Sequence, residues 1–159
     1  MGKKIFILAA VFFTITALAF SQIPVVDFDE LQPRLITGSD SVYVVNFWAT
    51  WCVPCVKELP EFEKINEIYS DQKVGVLLVS LDNARHIESR VLPFIEQHGL
   101  KSEIILLDDP QSNRWIPLVD ESWTGSIPAT VIFNKNSRSF YEKVFTYEEL
   151  EDAVKLKMN

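Results

Sequence analysis

From Val42 to Trp48 the chain reads Val-Tyr-Val-Val-Asn-Phe-Trp, seven uncharged residues rich in β-branched and aromatic side chains. A run without polar–apolar alternation is buried on both faces, so other layers must cover it from either side. That requirement predicts an α/β domain, a sheet held between helices. Val74–Leu81 and Glu103–Leu107 read as two more buried strands, and between them Ile87, Val91, Phe94 and Ile95 mark a helix that Gly99 ends. Upstream, Asp27 and Glu30 form a capping box with Val26 stapled onto Leu31, opening a helix expected to stop at Gly38. Val56, Leu59, Phe62, Ile65 and Tyr69 are spaced as another helix, which Pro60 should kink. A weaker helical stretch holds Trp115 and Pro117. Ala129–Phe133 and Ser139–Phe145 flank a polar turn and predict an antiparallel hairpin, and Thr146 to Glu149 supply the capping box of a closing helix. The expected architecture is a central mixed β-sheet flanked by helices.

The 159 residues, 48% of them hydrophobic, suffice for one domain with a true core. Lys and Arg total 15 against 22 Asp and Glu, a net charge of −7, and no basic run breaks the acidic balance. Nucleic acid is therefore excluded as a partner class. Met1 to Gln22 reads as a secretory signal: Lys3 and Lys4, an uncharged apolar run from Ile5 to Phe20, then Ala19-Phe20-Ser21 ahead of a cut before Gln22. The run is shorter than the roughly 20 apolar residues of a membrane span. Residues 1–21 are thus expected to be a cleaved signal, with an uncleaved N-terminal anchor as the other reading, and residues 22–159 the domain. Loss of two lysines and no acid takes the charge of the remaining 138 residues to −9. Either reading places the domain outside the cytoplasmic membrane, where disulfides persist.

The chemistry sits at Trp51-Cys52-Val53-Pro54-Cys55, after a buried strand and at the start of a helix. Residues three apart on a first helical turn lie about 5–6 Å apart, close enough to bridge. Unpaired amides and the helix dipole at that terminus favour a thiolate at Cys52, lowering its pKa and making it a nucleophile towards other disulfides. Cys55, one turn in, should be more buried and act as the resolving thiol. Pro54 suits a first turn, where its missing N–H costs nothing. Zinc would need four ligands, and only His86 and His98, on different elements, remain to supply nitrogen. A c-type haem attachment needs His after Cys55, where Val56 stands. A purely structural disulfide would close a loop too small to stabilise much.

Val45-Asn46-Phe47-Trp48-Ala49-Thr50-Trp51-Cys52-Val53-Pro54-Cys55 resembles the active-site segment of the thioredoxin-like fold, and more narrowly is similar to extracytoplasmic TlpA/ResA-type thiol-disulfide reductases. Pro60, five residues past Cys55, matches the family's kink proline, and Gly125-Ser126-Ile127-Pro128-Ala129-Thr130 matches its cis-proline loop. Residues 82–109 exceed what a minimal thioredoxin uses here and resemble the helix-strand insertion of the TlpA/ResA group. The resemblance spans nearly all of the domain. It implies a cis bond before Pro128, although X-Pro bonds in folded proteins are cis in only about 5–6% of cases. It also implies that the backbone at Ile127 pairs with an extended substrate segment.

Thioredoxin proper has a buried Asp where Asn46 stands, and Asn cannot relay a proton. Glu58, three residues after Cys55, matches a Glu frequent in the TlpA/ResA group. It can lie beside Cys55 and accept the resolving thiol's proton, or be an ordinary solvated Glu between Lys57 and Glu61. Trp51 is expected to cover the dithiol and contact partners, Trp48 to pack in the core, and Asp108 and Asp109 to begin a helix. The resemblance implies reduction of extracytoplasmic protein disulfides in the direction of cytochrome c maturation, a membrane electron donor, and no cofactor beyond the Cys52–Cys55 disulfide; a monomer is the default expectation. A disulfide-forming oxidant and a non-catalytic peptide-binding module are the rival functions. A peroxidase on the same fold would need a separate reactive Cys, and the chain has only Cys52 and Cys55.

Overall fold

The structure, a computed structural model, describes residues 23–158; the signal or anchor expected over residues 1–21 lies outside them. Six strands form one sheet: β1 (Val25–Val26), β2 (Val42–Trp48), β3 (Val74–Ser80), β4 (Glu103–Leu107), β5 (Ala129–Phe133) and β6 (Arg138–Tyr141). Their order is β1-β4-β3-β2-β5-β6, parallel from β1 to β2 and antiparallel from β2 through β6. This is the thioredoxin-like α/β arrangement, a mixed sheet flanked by helices.

Side chains alternate across β2 and so divide the core in two. Val42, Val44 and Trp48 join the layer under α2 (Val53–Tyr69), α3 (Leu92–His98) and α5 (Tyr147–Met158). Val45 and Phe47 face the layer under α1 (Phe28–Leu31) and α4 (Ser112–Val119). Asn46 shares the first side and is fully buried there. Both predicted capping boxes are present. The Asp27 carboxylate accepts from Glu30 N–H at 2.9 Å, and Thr146 Oγ1 accepts from Glu149 N–H at 3.3 Å.

Four expectations change. β1 has no local signature: it forms because Pro24 and Val26 carbonyls accept from Leu106 and Asp108 across the edge of β4. The first helix does not run to Gly38 but tightens at Gln32–Leu35 into a 3₁₀ turn containing Pro33. The helix through Ile87 begins as a 3₁₀ turn at Ala84–His86 and widens to a π turn over Ile87–Val91 before α3. Pro93 explains the widening, because its ring would clash with the Ser89 carbonyl four residues back in a regular helix. The hairpin's second strand is Arg138–Tyr141 rather than Ser139–Phe145. Phe145 instead turns inward and is buried.

Candidate active site

The C-terminal end of β2 delivers the dithiol. Cys52 N–H donates to the Ala49 carbonyl at 3.1 Å, closing a turn, and Cys52 is itself the N-cap of α2. Its sulfur accepts from Cys55 N–H at 3.3 Å, one of the helix's unpaired first-turn donors. The two cysteines form a disulfide across a Cα separation of 5.3 Å. Cys55 is fully buried, Cys52 is 5% exposed, and Trp51 and Val53 beside them stand out at 59% and 64%. The sequence placed Pro54 in the first turn, and there it lies. α2 runs on through Pro60.

From across the sheet β5 brings the loop before it. The Ile127–Pro128 peptide bond is cis, and the Ile127 carbonyl oxygen lies 3.7 Å from Cys52 Sγ. Gly125 takes a φ of +92°, a region that L side chains avoid, and its backbone turns the chain into this loop. Trp123 Nε1 donates to the Ser126 carbonyl at 2.8 Å, and Glu142 accepts from Ser126 N–H at 3.0 Å and from Thr124 N–H at 3.1 Å. The loop is thus pinned from both ends. A groove lined by Thr50, Trp51, Arg90 and Phe94 opens beside the dithiol.

Glu58 is 1% exposed, so it is not a solvated helix residue. Its Oε2 accepts from Phe145 N–H at 2.7 Å and its Oε1 from Asn46 Nδ2 at 3.0 Å. Burial pushes its pKa up to about 7, and the two hydrogen bonds offset only part of that rise. A carboxyl that changes protonation near neutrality, one helical turn from the buried Cys55, can exchange a proton with it.

Two site residues escaped the sequence reading. Asp82, just past β3, is buried and accepts from Thr50 N–H at 2.8 Å, Thr50 Oγ1 at 2.6 Å and Ser80 Oγ at 3.0 Å. It fixes the segment two residues before Cys52. Its signal was its place at the carboxyl end of a parallel strand, where sites of open α/β sheets gather. Thr130 pairs across from Asn46 in the β2–β5 register and accepts from Asn46 Nδ2 at 3.1 Å. Trp48, Trp115 and Trp123 are core residues, and Asp109 caps the approach to α4 by accepting from Gln111 N–H at 2.8 Å. No group of His, Cys, Asp and Glu able to hold a metal occurs among the described residues, and none of their helices is long and apolar enough to cross a membrane.

Comparison with known proteins agrees with this geometry. The AhpC/TSA family matches residues 21–138. The thiol-disulfide oxidoreductase ResA of Geobacillus thermodenitrificans is 26% identical over 129 residues, covering 81% of this chain and 68% of ResA. Among solved structures, the thioredoxin-related protein of Neisseria meningitidis serogroup B is 27% identical with a TM-score of 0.64, over 76% of this chain and 87% of that one. StoA of Bacillus subtilis shares the fold at 23% identity and a TM-score of 0.55, over 73% and 84%. A bridged Cys-x-x-Cys at a helix start, faced by a cis-proline loop, is thus found in a chain that belongs to the AhpC/TSA family, as a thioredoxin-like thiol-disulfide oxidoreductase of the ResA type.

Proposed function

We propose that this chain reduces disulfides of proteins outside the cytoplasmic membrane, with Cys52 as nucleophile, Cys55 as resolving thiol and Glu58 as proton acceptor. The buried Glu58 carboxyl, one turn from Cys55, is the observation that carries this reading. In the reduced enzyme the Cys52 thiolate, stabilised by the first-turn amides of α2, attacks one sulfur of a partner disulfide. That S–S bond breaks, and the departing partner thiolate takes a proton from water. Cys55 then gives its thiol proton to Glu58 and attacks Cys52 Sγ. The Cys52–Cys55 bond forms and the second partner sulfur leaves. Two electrons pass to the partner. An electron-donating membrane protein restores the dithiol.

Trp51, exposed beside Cys52, and the backbone at Ile127 and Pro128 hold the partner, whose extended segment adds to the loop as a strand would. Kinship with ResA and the signal-like first 21 residues support the location. The partner class suggested by that kinship is the apocytochrome c, whose paired cysteines must be reduced before haem is attached. The test is a Cys55→Ser variant produced in the native host. Mixed disulfides on Cys52 should contain proteins with haem-attachment cysteines, and a set lacking them would overturn the substrate assignment. Equilibration against glutathione fixes the direction. A potential at or below about −220 mV fits a reductant, whereas one near about −120 mV marks an oxidant that installs disulfides.

A further inference from the structure

Beneath the dithiol, Asn46 Nδ2 faces both Glu58 Oε1 at 3.0 Å and Thr130 Oγ1 at 3.1 Å, while Asn46 Oδ1 is buried without a hydrogen-bond partner. One end of the amide is doubly used and the other not at all. This arrangement suits an ionised Glu58, which only accepts. A protonated Glu58 presents an O–H that must be accepted by something. Yet Oε2 already faces the Phe145 N–H at 2.7 Å and Oε1 faces the Asn46 amide nitrogen, both donors. Leaving a buried hydroxyl against donors is costly.

A half-turn of the Asn46 side-chain amide relieves the conflict at Glu58, at the cost of moving the amide N–H groups to the side where Oδ1 had no partner. Oδ1 moves to the place of Nδ2 and accepts from both the Glu58 carboxyl O–H and the Thr130 hydroxyl, which can donate as readily as it accepts. We propose that Asn46, with Thr130 as its pivot partner, is a positioning residue that swivels with the proton on Glu58 and so supports the carboxyl in both of its states. This rests on the reading of Glu58 as the proton acceptor. It gives Asn46 a role distinct from relaying a proton, which an amide cannot do. During turnover, when the Cys55 S–H proton passes to Glu58, Asn46 turns its carbonyl to the new carboxyl O–H. When the proton leaves for solvent, the amide N–H returns.

Among the described residues no charged group acts on Glu58. From β2 Asn46 faces Glu58, backed by Thr130 of β5, and from the segment before α5 it is the Phe145 amide. On α2 itself, Lys57 is exposed, Glu61 is half-buried and Cys55 is in the disulfide. Lys143, near Phe145, is bound to Glu149 at 2.7 Å.

The test follows the oxidised full chain by NMR from about pH 5 to about pH 9, either side of the Glu58 titration. The Asn46 side-chain amide protons should show a cross-peak to the Thr130 methyl at high pH and lose it at low pH, with the midpoint of the Glu58 carboxyl carbon shift. A cross-peak that persists across the titration overturns the swivel and leaves Glu58's role standing. If no carboxyl titration of Glu58 occurs in this range, the proton-acceptor reading falls and the swivel with it. Asn46→Ala supplies a second measurement, the pH profile of Cys55 reactivity in the reduced protein. A swivelling amide serves both protonation states, so its loss should move the midpoint by under ~0.5 pH unit. A fixed donor serves only the anion, and its loss would raise the midpoint by ~1 unit or more, which overturns the proposal.

Discussion

The two faces of the sheet are stabilised in different ways. Under α1 and α4 Phe28 stacks on Trp115, Trp115 meets Trp123, and Phe47 and Phe140 both pack on Trp123, with ring centroids 4.8 to 5.9 Å apart. Both indoles donate, Trp115 to the Asp109 carbonyl at 3.1 Å and Trp123 to the Ser126 carbonyl at 2.8 Å. Under α2, α3 and α5 the apolar layer is interrupted by Asn46, Glu58 and Thr130. Asn46 Oδ1, Trp48 Nε1 and Ser102 Oγ, all on that side, are buried without a hydrogen-bond partner. An unsatisfied buried polar group costs about 1–3 kcal/mol. Both faces bury an apolar core, but the one under α2, α3 and α5 also gives up some stability to place titratable and polar groups beneath the dithiol.

Trp115→Ala is the largest test of that division. It removes the ring that joins Phe28 to Trp123 and should cost about 3–5 kcal/mol in urea unfolding. The rate of disulfide reduction per folded molecule should stay within twofold of the wild type. A rate that falls with stability would mean the two faces are not separable.

Glu58→Gln probes the other face and should act with opposite sign. The native pKa of about 7 lies above the ordinary value of 4.5, so the folded protein holds this proton more tightly than the unfolded chain does. The stability that Glu58 contributes is full below pH 4.5, declines as pH rises, and is gone above about pH 7. The wild type should lose about 2–3 kcal/mol relative to the variant between about pH 4 and about pH 8, measured on the oxidised protein. A constant difference between the two proteins would show that the buried carboxyl is not strained when ionised.

Asp82→Ala crosses the comparison because Asp82 is both structural and close to chemistry. Thr50 N–H, Thr50 Oγ1 and Ser80 Oγ all lose their acceptor, at a cost of about 1–3 kcal/mol. The segment before Cys52 is freed as well, so substrate reduction should slow by more than the folded fraction explains. Asp82→Asn, which keeps one acceptor oxygen, should recover part of both losses.

How much of this was legible in the chain follows from how local each signal is. Val42–Trp48, the Asp27 capping box and the Cys52–Cys55 spacing are written within a few consecutive residues, and each appears where expected. β1 is two residues long and exists only because the edge of β4 accepts it. The end of the hairpin at Tyr141 is set from the far side of the core. There Glu58, 87 positions away, takes up the Phe145 amide that a longer strand would have used. Asp82 and Thr130 are ordinary residues in sequence and become site residues only through pairing with β2 and its loop. Periodicity carries none of these contacts.

The smallest expected effect concerns a second carboxylate on the α2–α5 side, where the two helices meet. Glu151 Oε1 accepts from Tyr69 and Tyr147 hydroxyls, each at 2.6 Å, and Oε2 pairs with Lys155 at 2.8 Å. Lys155 first, then Tyr147 and Tyr69, hold the Glu151 pKa down to about 2. A depressed pKa stabilises the fold above the ordinary value and is lost as pH falls from about 4.5 towards 2, the reverse of Glu58. The same face thus carries two carboxyls whose contributions slope in opposite directions, which should give the oxidised protein its greatest stability between their windows, near pH 4.5. Asp40, Asp109, Glu142 and Glu149 also sit below their ordinary pKa and share the acid limb, so Glu151→Gln should shallow that limb without abolishing it. The neutral limb should be untouched by Glu151→Gln and removed by Glu58→Gln. Unfolding curves in which both variants flatten the same limb would contradict the opposed roles.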